Sequence, residues 1–317
     1  MRILFMGSPD EVIPILKELE TLKQTGYLKY LAVVSQPAKP SGRKKKLVDP
    51  PVAVYSKDKG LPLHQPVKAS SPEFLEIFRE LAIDTVITAA YGQMLSDNFL
   101  AIPKLATINF HPSKLPKYRG ASPVQSALFK GEGSTALTVL YTIKKMDAGN
   151  IILQENLPIG ENETAAELLP RSFQFGATLV KKALELVSDP NFSGTPQNEN
   201  DVTHCTKFTK DDGKVFWDND GHEIYNQYRA FIMWPGSYSF ISGKRIVLSQ
   251  MKLSSERSLT PGKISYDKKN KVIIVGTGGC NLHLLKLKPE GSKEQSADAF
   301  WNGLKQADKK EFYFDSE

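Results

Sequence analysis

The chain has 317 residues, 40% hydrophobic and 24% charged, with a formal net charge of +6 at neutral pH. That length holds one large or two ordinary domains, the composition is that of a soluble globular protein, and no run approaches the ~18 apolar residues of a membrane span. Its two cysteines, Cys205 and Cys280, form no Cys-x-x-Cys pair, which argues against a disulfide framework and a structural zinc site.

The first ~200 residues alternate strand and helix signals, as a parallel α/β sheet does. Arg2 to Met6 is apolar enough for a strand from the second residue onward. No basic leader with an apolar stretch and no Arg-rich presequence precedes it, so the expectation is a cytoplasmic protein, or an organellar one whose presequence has been removed. Ser8-Pro9-Asp10-Glu11 reads as a helix start with Ser8 as cap, although Pro14 sets the true start equally well. Leu31 to Ser35 is a second strand. Ser71 to Leu81 is a helix, with Phe74, Ile77, Phe78 and Leu81 at helical spacing. Thr85 to Ala90 and Thr107 to Phe110 are buried strands, and Ala121 to Lys130 is a helix. Leu137 to Thr142 and Ile151 to Leu157 are strands flanking a turn, MDAGNI, and Thr164 to Val187 is a long amphipathic helix.

The texture changes after Asp189. Asn, Gly, Pro and Thr crowd the segment to Thr203, which reads as a linker spanning 190–206. Beyond it lie one helix, His222 to Phe231, and short strands at Ser237 to Ile241, Arg245 to Leu248, Val272 to Val275 and Leu282 to Leu287. The expected fold is therefore a Rossmann-like open, parallel or mixed α/β sheet over 1–189, joined to a small OB-like β-barrel over 207–317.

Charge is unevenly spread. Residues 240–290 hold ten Lys or Arg against three acids, a net of 10 − 3 = +7, and residues 39–46 hold Lys39, Arg43, Lys44, Lys45 and Lys46 with no acid. A polyanion would exploit such patches through counterion release. The segment Lys39 to Val48 is too polar for a strand, and Pro40 and Gly42 suit an irregular loop.

Chemistry gathers in INFHPSKLPKYRGASPVQ, residues 108–125. Asn109 and His111 are two apart, on one side of a strand, where the apolar run ends in a Pro- and Gly-studded loop. Ligands of open α/β sheets bind at such carboxyl ends. Asp147, in the downstream turn, is the third candidate. An amide and a protonated imidazole can hold an oxyanion, while a carboxylate orients the imidazole and favours its charged form. After the first strand stands only Gly7, without G-x-G-x-x-G or a Walker loop, so nothing points to NAD or ATP. No second His or Glu lies at metal-ligand spacing from His111, and no nucleophile elbow is present; the expectation is no metal.

These residues carry a resemblance. INFHPSKLPKYRGASPVQ followed by MDAGNI resembles the signature of folate-dependent formyltransferases, whose Asn-x-His and later Asp form the catalytic set. The resemblance implies catalytic roles for Asn109, His111 and Asp147. It also implies folate binding by the loop after the His, here Ser113-Lys114-Leu115-Pro116, where the family has Ser-Leu-Leu-Pro; Lys114 is a departure. A cleft beside Tyr91, Gly92 and Gln93, walled by Met94 and Leu95, would take the folate ring.

MRILFMGSPD, QPAKPSGRKKKLVDPPV, AAYGQML and RAFIMWPG are similar to the branch of that family that acts on a charged tRNA. The implied reaction moves the formyl group of 10-formyltetrahydrofolate to the α-amino group of methionine on initiator tRNA. Arg43 matches that branch's key loop arginine, with Lys44, Lys45 and Lys46 adding charge for RNA. Lys244, Arg245, Lys263, Lys268, Lys269 and Lys271 would follow the RNA backbone. His204-Cys205-Thr206-Lys207 departs from the usual Tyr-Ala-x-Lys and reads as a change at a domain junction, without bearing on the chemistry. The enzyme is expected to be a monomer. Rival readings are a formyltransferase for a small-molecule amine, a hydrolase releasing formate from the same folate, and an RNA-binding module that has kept the fold without the reaction.

Overall fold

The computed structural model describes residues 1–42, 45–304 and 312–315. It forms two compact units, one of Met1–Pro123, Ser134–Pro158 and Leu169–Cys205, the other of Val124–Gly133, Ile159–Leu168 and Thr206–Glu317. No helix among the described residues is long and apolar enough to cross a membrane.

The first unit is built on a seven-stranded sheet. Its spatial order is Ile151–Pro158, Ser134–Tyr141, Ala106–His111, Thr85–Thr88, Arg2–Met6, Tyr30–Val34, Leu63–His64. The last five of these run parallel, and the first two are antiparallel additions at one edge. The three inner parallel strands Arg2–Met6, Tyr30–Val34 and Thr85–Thr88 are almost wholly buried, as strands covered on both faces must be. From the central Arg2–Met6 strand the chain builds outward to one side, through Tyr30–Val34, then returns to build on the other, through Thr85–Thr88. The strand order therefore reverses there, and the crevice beyond the strands' carboxyl ends is where such sheets bind ligands.

The helices bear out the periodic readings. Pro72–Glu80 begins at a Ser71 cap whose hydroxyl accepts from the Phe74 N–H at 3.4 Å. Ala165–Leu186 lays its apolar stripe on the sheet, where Phe110 meets Phe173 with ring centroids 5.1 Å apart. Phe110 faces that helix, so Asn109 and His111 on either side of it face the opposite way.

Two local expectations need correction. Ser8 is not a helix cap: its hydroxyl accepts from the Gln36 N–H at 3.1 Å, and Pro14 lies in the first turn of the Ile13–Gln24 helix. The polar segment after residue 38 is also not an irregular loop. Lys39–Ser41 and Lys46–Val48 form an antiparallel hairpin. Exposed polar side chains do not hinder a ladder made by backbone groups, and Pro40 is tolerated because both strands are edges. Gly42 and Lys45 take the left-handed conformations of the turn. Arg43 and Lys44 lie outside the described residues.

The segment read as a linker lies along the first unit. Thr195 bridges Ile151, and His204–Cys205 pairs in parallel with Arg119–Gly120.

The second unit is an antiparallel sheet in the order Tyr238–Ile241, Lys244–Leu253, Leu282–Pro289, Val272–Val275, Ile264–Asp267, with Gln295–Ser296 pairing on Leu282–Pro289. The terminal segment joins its two edges. Ile264 N donates to Phe312 O and Phe314 N to Gly262 O on one side, and Asp315 N donates to Phe240 O on the other. This closes the sheet into the expected OB-like barrel, over a core that includes Trp217 stacked on Phe314 at 4.7 Å.

Candidate active site

Asn109 and His111 end the Ala106–His111 strand, and Asp147 comes to them from the turn between the two antiparallel strands. Asp147 takes a left-handed backbone conformation at φ 51°, which Asp tolerates better than most residues. Its Oδ1 accepts from Asn109 Nδ2 at 3.3 Å, and its Oδ2 accepts from the Gly120 backbone N–H at 2.9 Å and lies 3.7 Å from His111 Nδ1. The structure thus brings together the three groups that the sequence places 38 residues apart.

Each is held in one orientation. Thr88, on the neighbouring strand, donates its hydroxyl to Asn109 Oδ1 at 2.8 Å, which turns the amide N–H groups toward Asp147. One N–H goes to the carboxylate; the second has no protein acceptor among the described residues. His111 is buried, and its Nε2 lies 3.0 Å from the Tyr118 carbonyl oxygen. A carbonyl only accepts, so Nε2 carries a proton and Nδ1 is the nitrogen facing the carboxylate. At 3.7 Å that pair is too far apart for a hydrogen bond, leaving Nδ1 able to engage a ligand.

Sequence reading missed the layer behind Asp147. Gln197 donates to the carbonyls of Asp147 and Gly149 at 2.8 and 2.7 Å, pinning the turn. Its own carbonyl oxygen is gripped by Arg119 through Nε and Nη2 at 3.1 and 2.8 Å. Arg119 is 1% exposed and also reaches Glu199 Oε1 at 2.8 Å. Arg119 foremost, and then Lys145, hold the Glu199 carboxyl down at about 2. Arg119 had a signal, being an arginine in a Gly- and Pro-rich loop beside the strand; Gln197 and Glu199 had none, because their partners are 78 and 80 residues away.

Cys205 also bears on the site, contrary to expectation. Its thiol donates to the Tyr118 carbonyl at 3.3 Å, the same acceptor that holds His111. A Cβ on Gly120 would run into the Cys205 carbonyl, so only glycine lets this strand approach while its N–H serves Asp147.

The expected folate residues divide by burial. Ser113 is fully buried, with its hydroxyl spent on Lys117 O at 2.9 Å, and Leu115 is buried with its carbonyl accepting from Gln154 at 3.0 Å. Lys114 is exposed and Pro116 half-buried behind a cis Leu115–Pro116 bond. Tyr91 is buried, with no partner for its hydroxyl among the described residues, and burial pushes that phenol up to about 12. Gly92 has φ 83° and open space where a Cβ would stand, while Gln93 is committed to the backbone of Ala69 and Val67. Met94 is exposed and Leu95 buried. Lys45 and Lys46 are exposed on the hairpin. Of the basic residues of the second unit, Lys268, Lys269 and Lys271 share one hairpin turn, whereas Lys263 lies at the other end of the Ile264–Asp267 strand. Arg245 is stacked on the Tyr238 ring, 3.8 Å from its centroid.

An open α/β sheet that ends in an amide, an imidazole and a carboxylate carries the parts of a group-transfer enzyme of the acyl type. The chain belongs to the formyl transferase family: the formyl transferase domain matches residues 1–184, and the formyl transferase C-terminal domain matches residues 207–305. It is 34% identical over 303 residues to a methionyl-tRNA formyltransferase of Geobacillus thermodenitrificans, covering 95% of this chain and 93% of that one. Among solved structures it is similar in fold to WlaRD, a sugar 3N-formyl transferase crystallised with dTDP and 5-N-formyl-THF, with a TM-score of 0.66 at 18% identity over 92% of this chain and 99% of that one. HypX from Aquifex aeolicus has the same fold, with a TM-score of 0.65 at 19% identity; 96% of this chain matches 48% of HypX, about half its length.

Proposed function

We propose that this enzyme transfers the formyl group of 10-formyltetrahydrofolate to the α-amino group of methionyl initiator tRNA, in the cytoplasm and as a monomer. The observation that carries the reading is the convergence of Asn109, His111 and Asp147 at the strands' carboxyl ends. The relative at 34% identity, named for that reaction and matched along nearly its whole length, supports the substrate.

The folate supplies the formyl group. The site's chemistry suits it: an amide N–H with no protein acceptor among the described residues, an imidazole Nδ1 that makes no hydrogen bond to the carboxylate, and open space beside the Gly92 backbone. In this reading the loop of Ser113, Lys114, Leu115 and Pro116 frames the folate. With Ser113 turned inward, it contributes backbone shape more than side chains. Asn109 Nδ2 and a protonated His111 Nδ1 donate to the oxygen that gains negative charge as the amine attacks. Each such donor typically lowers a barrier by ~3 kcal/mol. Asp147 holds Asn109 by a hydrogen bond, faces His111 Nδ1, and takes the proton that the attacking amine must lose, directly or through a water.

The basic segment is the proposed tRNA contact, with Arg43, Lys44, Lys45 and Lys46 neutralising phosphates. Its exposed Leu47 and Val48 add apolar surface beside the charge.

The test is formyl transfer by the wild-type chain with three acceptors: methionyl initiator tRNA, the free amino acid, and water. Transfer to the charged tRNA alone, weakened in Arg43→Ala through KM, supports the reading. Formate release, or formylation of small amines without tRNA, would keep the centre and overturn the tRNA assignment.

A further inference from the structure

We infer that the second unit carries a binding site for a divalent transition metal of the zinc class, formed by Asp220, His222 and Cys280. This goes beyond the transfer reaction and does not depend on it. Among the described residues these three place a carboxylate oxygen, an imidazole nitrogen and a thiol sulfur all within 4.8 Å of one another. The sequence reading expected no metal, because it sought ligands at motif spacing; here His222 and Cys280 are 58 residues apart, and the fold brings them together.

Two of the three ligand separations can be set against those of a tetrahedral site. Metal–sulfur, metal–nitrogen and metal–oxygen bonds of ~2.3, ~2.05 and ~2.1 Å at tetrahedral angles set ligand separations of about 3.5 Å for S–N and about 3.4 Å for N–O. Cys280 Sγ lies 3.6 Å from His222 Nδ1, and Asp220 Oδ1 lies 3.0 Å from the same nitrogen. The first separation already fits. The second is a hydrogen bond and must open by a few tenths of an ångström when the metal replaces the proton.

That one nitrogen faces both other groups is itself informative. Protonated, Nδ1 serves Asp220 and leaves the thiol without a nitrogen acceptor; unprotonated, it accepts from the thiol and sets its lone pair against the carboxylate. A dication satisfies all three at once. Its binding moves the imidazole proton to Nε2, frees the Nδ1 lone pair, and releases the Cys280 thiol proton to solvent. The donor set is then one thiolate, one neutral imidazole and one carboxylate, the mixture that suits zinc and its neighbours. Arg257, which donates to Gly278 O at 2.9 Å, is a nearby opposing charge, outweighed by the two negative ligands.

The backbone holds the cluster ready. Asp220 caps the Gly221–Phe231 helix through the His222 N–H at 2.8 Å. The Thr277–Cys280 turn closes on that cap so tightly that a Cβ on Gly279 would strike the Asp220 carboxylate and one on Gly221 the Cys280 carbonyl. Thr277 donates to Cys280 O at 2.6 Å and accepts from Gly279 N at 3.0 Å, fixing the turn from within. Asp220 and His222 are about half and two-thirds exposed, which gives a metal a way in and leaves a fourth position for water.

The test uses the full reduced chain and cobalt(II) as a spectroscopic stand-in for zinc. Expected are one equivalent bound, a thiolate-to-cobalt charge-transfer band, and visible bands of tetrahedral intensity. Zinc should displace the cobalt stoichiometrically. The charge-transfer band should vanish in Cys280→Ser and persist in Cys205→Ser. Zinc affinity should fall at least tenfold in His222→Ala and in Asp220→Asn, the latter keeping the helix cap because Asn caps as well as Asp. No charge-transfer band in the wild type, a band that survives Cys280→Ser, or one lost in Cys205→Ser instead would overturn the site. Circular dichroism of each variant, read before titration, separates loss of the ligand from loss of the fold. His222→Ala removes an exposed side chain, and unchanged zinc affinity in that folded variant would also count against the site.

Discussion

The Tyr118 carbonyl oxygen accepts a hydrogen bond from His111 Nε2 across 3.0 Å, and this fixes which nitrogen of the imidazole faces Asp147. Nδ1 is left toward Asp147, beside an amide whose own orientation is set by Thr88. In the proposed reaction Tyr118 and Thr88 would preorganise these two groups as donors, the arrangement that makes electrostatic stabilisation effective.

Thr88→Val tests that preorganisation. The substitution keeps shape and removes the hydroxyl that orients Asn109 Oδ1. With one hydrogen bond of ~1 kcal/mol lost and the amide free to rotate, kcat should fall about tenfold while KM for tRNA stays put. Steady-state kinetics decides it; an unchanged kcat would show that Asn109 needs no support from Thr88.

Arg119→Lys tests the layer behind the turn. Lysine keeps the charge but cannot fork onto Gln197 Oε1, so the Gln197 clamp on the Asp147 and Gly149 carbonyls should loosen. A stability loss of ~1–3 kcal/mol in urea unfolding is expected, together with a fall in kcat larger than any change in KM. Gln197→Leu should show the same kinetic pattern. A stability loss with wild-type kcat in both would make the layer structural only.

The same network has a pH signature. The Glu199 carboxyl is held at about 2, against 4.5 unperturbed, so the unfolded chain binds its proton first as pH falls. Its contribution is fully present above about pH 4.5 and is lost as pH falls to about 2. Melting temperatures of wild type and Glu199→Gln should differ most above that window and converge below it. Parallel curves through the window would contradict the assignment.

Gly120→Ala places a methyl group against the Cys205 carbonyl and strains a backbone at φ 127°. The Arg119–Gly120 and His204–Cys205 strands should separate, taking the Gly120 N–H away from Asp147. Expected are a lower melting temperature and a loss of transfer greater than the stability change explains, measured well below the transition. Full activity in a folded Gly120→Ala would show that this N–H is dispensable.

How legible all this was depends on the reach of each signal. Strands and helices with strong local periodicity were readable, and so were Asn109 and His111, because spacing along one strand fixes which side they share. Their junction with Asp147 was inferable only from the resemblance, since nothing local ties residue 147 to residue 109. Pairings such as Arg119 with Gln197 are set by the tertiary fold and leave no pattern. Polarity argues against strands at Lys39–Ser41 and Lys46–Val48, yet two exposed edges pair through backbone alone. The Pro51–Asp58 helix is hidden in the sequence by a Pro-Pro start that resembles a loop, though a proline in the first turn is well tolerated in a helix.

The most direct measurement is single-turnover formyl transfer to methionyl initiator tRNA by wild type and His111→Asn, at saturating folate and tRNA, with tRNA affinity measured separately. The expected result is a rate lowered by ~10²–10³ with tRNA affinity unchanged. Transfer by His111→Asn at the wild-type rate would contradict the account, because the buried imidazole would then be a structural group and the reaction would have to be carried elsewhere.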